Sequence, residues 1–317
     1  MLPASATWRN SRRSVRSRCM EVRAFVPAEA SLCHIRIVPA QASPEGVAAG
    51  APANGQKKEG GPGEFIPPAL PGDIMDILFL LLVFLLAGMV KGVLGLGLPT
   101  VAMGLLGAVM PPAQAAALLV LPSLVTNLWQ LFAGPRFGAL LRRLWGMMLG
   151  ILAGTLLGAG LIAREESPWP VAALGLTLLA YAVLGLARPA LRVPPRAEPW
   201  AAPLVGLATG AVTGATGVFV IPAVPFLGAL GLGRDDLVQA LGLSFTVSTL
   251  ALAAGLAWHG ALPGLLLGQS LLAIGPALLG MALGGWLRGR VRAETFRRGF
   301  FAGLGLLGAE MVWRALA

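Results

Sequence analysis

The chain has 317 residues, 56% of them hydrophobic and only 12% charged, with 43 glycines, a formal charge of +10 and a mean hydropathy of +0.77. A soluble globular domain carries about a quarter charged residues to coat its surface, so these figures exclude most soluble enzymes and predict an all-α, polytopic helical membrane protein. The basic residues lie mainly in loops flanking apolar runs, where they act as topology signals facing anionic lipid, and this placement excludes nucleic acid as a partner.

Residues 1–74 are rich in Arg, Ser, Pro and Gly with no sustained apolar period, which predicts a disordered tail. The stretch Arg9 to Arg18 has the composition of a transit peptide, but no signal-type apolar run follows it. A simpler reading starts translation at Met75, directly before Asp76 and a long apolar run, and makes the tail a mis-called start. Cys19, Cys33 and His34 all fall in the tail, and His259 is the one histidine beyond it. Residues 75–317 therefore lack the ligand set of a Cys/His zinc site or a thiol redox centre, and no cofactor or metal is expected.

From residue 76, apolar segments fall at about 76–110, 113–133, 140–162, 169–187, 200–231, 236–258, 262–287 and 299–316. A span needs about 20 residues. The first and fifth segments exceed 30, and each is interrupted by glycines followed by proline, so both are read as broken helices or re-entrant hairpins. They also resemble one another: Gly88-x-x-Lys91-Gly92-x-x-Gly95 before Pro99 matches Gly210-x-x-Thr213-Gly214-x-x-Gly217 before Pro222. Continuing the match, Gln114 falls on Gln239, Ser123 on Ser248, Gly150 on Gly275, and Gly154-x-x-x-Gly158 on Gly280-x-x-x-Gly284. The chain thus divides into a first transmembrane repeat, 75–190, a cytoplasmic linker, 191–199, and a second repeat, 200–317. Duplication is the usual construction of secondary transporters. The Gly-x-x-x-Gly pairs are read as close helix packing.

Loop charge orients the repeats. With eight single crossings the loop arginines divide 7 against 7. With segments one and five as hairpins and Asp76 outside, loops 136–143, 188–198, 232–236 and 288–298 share one side and the division becomes 12 against 2. The second arrangement satisfies the positive-inside rule and turns the second repeat upside down relative to the first.

Unwound backbone is tolerated in hydrocarbon only when buried in protein or lining a cavity, so the two breaks are expected to face each other near mid-membrane and to form the substrate site. Half-helices starting near Pro99-Thr100 and near Pro222 aim free N–H groups at such a cavity, which suits an anion. Lys91 lies about 22 Å along a helix from Asp76 and is the one Lys or Arg well inside an apolar segment. An anion contact is the functional reading; snorkelling, or pairing with carbonyls freed by the unwound turn, is the plainer one. Polar residues recur on one face of segment two, as Ser123, Thr126, Asn127 and Gln130, and in segment six, as Ser244, Ser248 and Thr249 with Thr246 nearby. The substrate-binding candidates are Lys91, Gly95, Gly97, Pro99, Thr100, Asn127, Gln130, Thr213, Gly217, Pro222, Ser244 and Ser248. Asp235 is read as a helix cap with Asp236 in the first turn, and Glu310 as the partner of Arg314. No phosphate loop, dinucleotide fingerprint or catalytic triad is present in the sequence, so an enzyme is not expected.

The segments beginning at Gly88 and at Gly210 resemble the paired glycine-proline signatures of the TauE/SafE sulfite exporter family, and the resemblance covers residues 76–317. It implies a bacterial inner-membrane permease for sulfite, sulfoacetate or related sulfonates, and the two inverted repeats lead to the expectation of alternating access by motion of one repeat against the other. Where the family commonly has Gly-Gly-Gly before the proline, this chain has Leu96-Gly97-Leu98 and Val218-Phe219-Val220, so bulkier residues border the expected site. A channel, or a membrane subunit anchoring an enzyme complex without transporting anything, are the other readings. The expected partners are a small anion and the lipid bilayer; the coupling ion and assembly into a homo-oligomer stay open.

Overall fold

A computed structural model describes residues 74–163, 169–188 and 191–316, all within one unit, Ile66–Ala317. The expected tail up to residue 73, with both cysteines and His34, lies outside the described residues, as do Arg164, Glu165 and Glu166. Of the described residues 83% are helical and none is in a strand. The helices in order are α1 Ile74–Leu94, α2 Leu98–Gly107, α3 Pro112–Phe132, α4 Phe137–Ile162, α5 Trp169–Ala187, α6 Glu198–Thr216, α7 Ala223–Ala229, α8 Arg234–Trp258, α9 Gly264–Leu287 and α10 Ala293–Leu316. Seven of them are long and apolar enough to cross a membrane: α1, α3, α4, α5, α8, α9 and α10.

The two long segments are both broken, at closely similar turns. Gly95 donates its N–H to the Lys91 carbonyl at 2.7 Å with φ +79°, and Gly217 donates to the Thr213 carbonyl at 2.8 Å with φ +71°. A residue in the left-handed region closes a helix with little strain only if it is glycine. The short helices α2 and α7 then double back. Asp76 and Met110 line one cavity, so the first segment ends beside its start. The fifth starts at Glu198, paired with Arg143 at 2.6 Å, and ends at Ala229, whose carbonyl accepts from Val193 N at 3.0 Å. Further links between loops are Arg136–Asp236 at 3.1 Å and Arg188–Glu294 at 2.8 Å. Together these contacts bring the described residues of 136–143, 188–198, 232–236 and 288–298, loops and adjoining helix ends, to one end of the bundle.

Glycine faces decide which helices meet. In α4 against α6, a Cβ on Gly154 would stand 2.8 Å from Ala211 N, and one on Gly214 would stand 2.6 Å from Ala159 N. In α1 against α9, a Cβ on Gly92 would stand 2.8 Å from the Gly284 Cα, and one on Gly280 2.9 Å from Met89 N. Without a side chain at these points the backbones approach to contact, and dispersion replaces the hydrophobic drive that lipid does not supply. Exchanging the two halves of the chain maps the first pair of helices onto the second. Each half therefore completes its glycine faces with the other half, while α3 packs on α8 and α5 on α10. The match of Gly150 with Gly275 does not extend to packing, because Gly275 faces open space whereas Gly150 abuts Pro203 and Leu207.

Pro122 sits inside α3 and removes the donor that the Leu118 carbonyl needs one turn back. Ser270 of α9 supplies the replacement, donating to Leu118 O at 2.7 Å and accepting from Leu121 N at 3.2 Å. Ser270→Ala strands that buried carbonyl and is expected to lower stability by about 1–2 kcal/mol; an unchanged melting temperature in detergent contradicts this.

Two local expectations are corrected. Helix α10 starts at Ala293 and not near residue 299, because Glu294 lies in its first turn, at the favourable N-terminal end, and pairs with Arg297 and Arg298 one turn on, so these residues are helical and not a loop. Asp235 does not cap α8: Gly233 occupies that position, and both aspartates lie in the first turn. The Glu310–Arg314 ion pair is present as expected.

Candidate functional site

Helices α3 and α8 form the polar seam of the molecule. Gln239 donates from Nε2 to Leu131 O at 2.8 Å and Gly134 O at 2.6 Å, and accepts from Arg136 N at 3.0 Å, which closes the C-terminal end of α3. A Cβ on Gly242 would stand 2.6 Å from Leu131 N, so the two helices touch there. These contacts fix an antiparallel register that carries Ser248 and Thr249 to the level of Val125 and Leu124, one turn or less from Ser123. Ser123, Thr126, Asn127, Ser244, Ser248 and Thr249 are all buried.

Lys91 enters this seam from α1. It is only 3% exposed, and its Nζ donates to Thr126 Oγ1 at 3.0 Å and to Asn127 Oδ1. Asn127 Nδ2 donates in turn to Thr249 Oγ1 at 3.2 Å, and Thr249 donates to the Phe245 carbonyl at 2.7 Å. The chain of bonds crosses three helices from both halves. Every acceptor around the ammonium is neutral, and no carboxylate among the described residues pairs with it. An isolated buried ammonium is costly, on the order of several kcal/mol. Thr126 also hydrogen-bonds the Pro122 carbonyl at 2.8 Å, so its hydroxyl is held in place to receive the lysine.

The plainer role expected for Lys91, satisfying carbonyls freed by the break, belongs to Arg288. Its Nε donates to Val93 O at 2.9 Å and its NH2 group to Gly92 O at 2.6 Å. Gln130 Nε2 bridges Gly95 O at 3.2 Å and Val238 O at 3.0 Å, tying the break to α8. Lys91, Gly95, Gln130 and Arg288 line one cavity of about 510 Å³. Sequence reasoning missed Arg288, because an arginine just past an apolar segment reads as a loop charge.

The other candidates are divided between two places. Gly97, with φ +109°, precedes α2, Pro99 lies in the first turn of α2, and the Thr100 hydroxyl bonds back to Gly97 O at 2.8 Å. Thr213 bonds to Thr209 O within its own helix at 2.7 Å, Gly217 abuts Met103 of α2 and Ala116 of α3, and Pro222 precedes the seven-residue α7. The first break meets α3 at Gln130 and the second meets it at Ala116, 14 residues away, or about 21 Å along the helix. The breaks thus stand at opposite ends of the seam and do not face each other. Re-entrant helices cause this: each break packs beside the short helix of the other half. Ser123, Ser244 and Ser248 carry buried hydroxyl oxygens with no hydrogen-bond partner among the described residues, all on the two seam helices. Unpaired buried hydroxyls are uncommon in folded proteins and are ready donors to a ligand.

The sulfite exporter TauE/SafE family matches the chain over residues 80–311. The chain belongs to this family. TauE/SafE proteins are membrane transporters and not enzymes, and the seven long apolar helices agree with a multi-pass membrane transporter. No curated protein and no solved structure matches this TauE/SafE chain.

Proposed function

We propose that this protein is a secondary permease of a bacterial inner membrane that moves small anions, sulfite or short organosulfonates, by alternating access along the α3–α8 seam. The observation that carries the reading is Lys91: a buried ammonium whose partners are all neutral, in the middle of a seam with three unpaired serine hydroxyls. A bound oxyanion supplies the missing charge, and its oxygens accept from Lys91 and from Ser123, Ser244 or Ser248. Sulfite fits that demand, with three oxygens on one small centre. Asn127 holds Lys91 in place against Thr249 and lets the ligand be felt in both halves. Gly95 and Gln130 form the end of the seam at the first break; Thr213, Gly217 and Pro222 form the end at the second.

Two inverted repeats, 75–190 and 200–317, support alternating access. The exchange of helix pairs between halves, the matched left-handed glycines and the position of the breaks at opposite ends of α3 all favour that symmetry. The gathering at one end of twelve arginines, in the loops and in the helix ends beside them, favours that end as cytoplasmic. Counterflow distinguishes a carrier from a channel: proteoliposomes preloaded with unlabelled sulfite are expected to take up labelled sulfite faster than unloaded ones. Equal or slower uptake into the loaded vesicles contradicts alternating access.

A further inference from the structure

A second cavity, of about 480 Å³, lies where α5 ends and α10 begins. Its walls include Leu94 and Leu96, on either side of Gly95 in the first break, and Val224 and Pro225 of α7. The unwound backbone is therefore a partition: Gly95 faces the Lys91 cavity, and its two neighbours face this one. Arg188, Arg297 and Tyr181 supply the polar part of the lining.

Charge in this place is unbalanced. Glu294 is the common partner of Arg188 at 2.8 Å, Arg297 at 3.0 Å and Arg298 at 2.8 Å, so one carboxylate faces three guanidinium groups. Arg297 is held most firmly, with its side chain 13% exposed and a further bond to the Gly185 carbonyl. Arg188 keeps donors free beyond its one bond to Glu294. Tyr181 is 3% exposed, its ring packs edge-on against Phe301 at 5.1 Å, and its hydroxyl has no hydrogen-bond partner among the described residues. A buried tyrosine normally finds a partner for that group. Excess guanidinium charge, an unpaired buried hydroxyl and apolar walls in one cavity describe a receptor for an oxyanion head joined to an apolar chain.

We propose that this cavity is a second anion site, separate from the Lys91 seam, which takes the oxyanion head against Arg188, Arg297 and Tyr181 and the apolar chain against Leu94, Leu96 and Val224. Two sources share this chemistry: a short alkyl sulfonate, whose choice rests on the anion-permease reading, and the head of an anionic lipid. Because an occupant touches both the first break and α7, it also biases the movement of the two re-entrant elements.

The test is binding to the full chain in a neutral detergent, by titration calorimetry with hexanesulfonate in one arm and short-chain phosphatidylglycerol in the other. Tyr181→Phe keeps the ring and its packing, and removes only a hydroxyl that bonds nothing in the fold. Expected are a fall of at least fivefold in affinity in Tyr181→Phe and of at least tenfold in Arg188→Gln, for whichever probe binds. The tighter probe identifies the source. The site is overturned if neither probe binds, or if binding is the same in Tyr181→Phe and Arg188→Gln as in the wild type. Loss of binding in Lys91→Met alone also overturns it, by placing the anion in the seam. Absence of saturable sulfite flux in the folded wild type, with binding intact here, would refute the permease reading and leave this site standing.

Discussion

Lys91→Met protein is expected to fold, insert and carry sulfite at about one-tenth to one-hundredth of the wild-type rate or less. Methionine preserves most of the stem volume within α1 and removes only the ammonium. Hydrogen bonds to a charged group contribute about 1.5–3 kcal/mol, which corresponds to about 10–100-fold in binding or rate. The thermal stability of the variant is expected to equal or exceed that of the wild type, because an ammonium buried among neutral acceptors costs more than it returns. Asn127 keeps its bond to Thr249 in the variant, so the α3–α8 contact survives. Flux is measured in proteoliposomes and folding by size exclusion and melting in detergent. Wild-type flux from folded Lys91→Met protein would remove the lysine from the site.

Gly154→Ala and Gly92→Ala are expected to cause the largest losses of stability in the molecule. At both positions a methyl group points into the backbone of the facing helix, against Leu207 and Ala211 in one case and Met281 and Gly284 in the other. Backbone cannot swing aside as a side chain can, so the helices must separate along their length. Overpacking costs about 1–3 kcal/mol where side chains can adjust, and more is expected here. Gly275→Ala is the matched control: it lies in the middle of α9 with nothing within 4 Å of the added carbon, and alanine favours the helix by about 1 kcal/mol. Melting temperatures should fall by several degrees in the first two variants and hold or rise in the third. Equal behaviour of all three would contradict the account of how the halves join.

The parts of this arrangement that were readable in the sequence are those set by local chemistry. A helix that stops at glycine and resumes at proline announces itself, because the left-handed turn needs the first and a helix start tolerates the second. Lys91 was conspicuous for being a charge inside an apolar run, and Asn127 with Gln130 for the cost of burying an amide. Gly-x-x-x-Gly spacing gave the packing faces, though not their partners. What the sequence did not reveal depends on residues far apart in the chain. Arg288 reaches the carbonyls of Gly92 and Val93 from almost two hundred residues away, and Ser270 repairs the gap at Pro122 from another half of the protein. The ring of arginines around Glu294 was counted as loop charge, since neither its cavity nor the idle Tyr181 hydroxyl leaves any mark in composition. The expectation that the breaks would meet failed because the lengths of α2 and α7 follow from packing across the halves, and no local pattern fixes them.

The central claim is that the α3–α8 seam carries an anion across a bilayer. Its most direct test is the initial rate of labelled sulfite uptake into proteoliposomes containing the full chain, followed against sulfite concentration beside empty liposomes of the same lipid. A rate that saturates, and that competing short sulfonates reduce, is the predicted result. A rate no higher than that of empty liposomes, from protein shown to be folded, would contradict it.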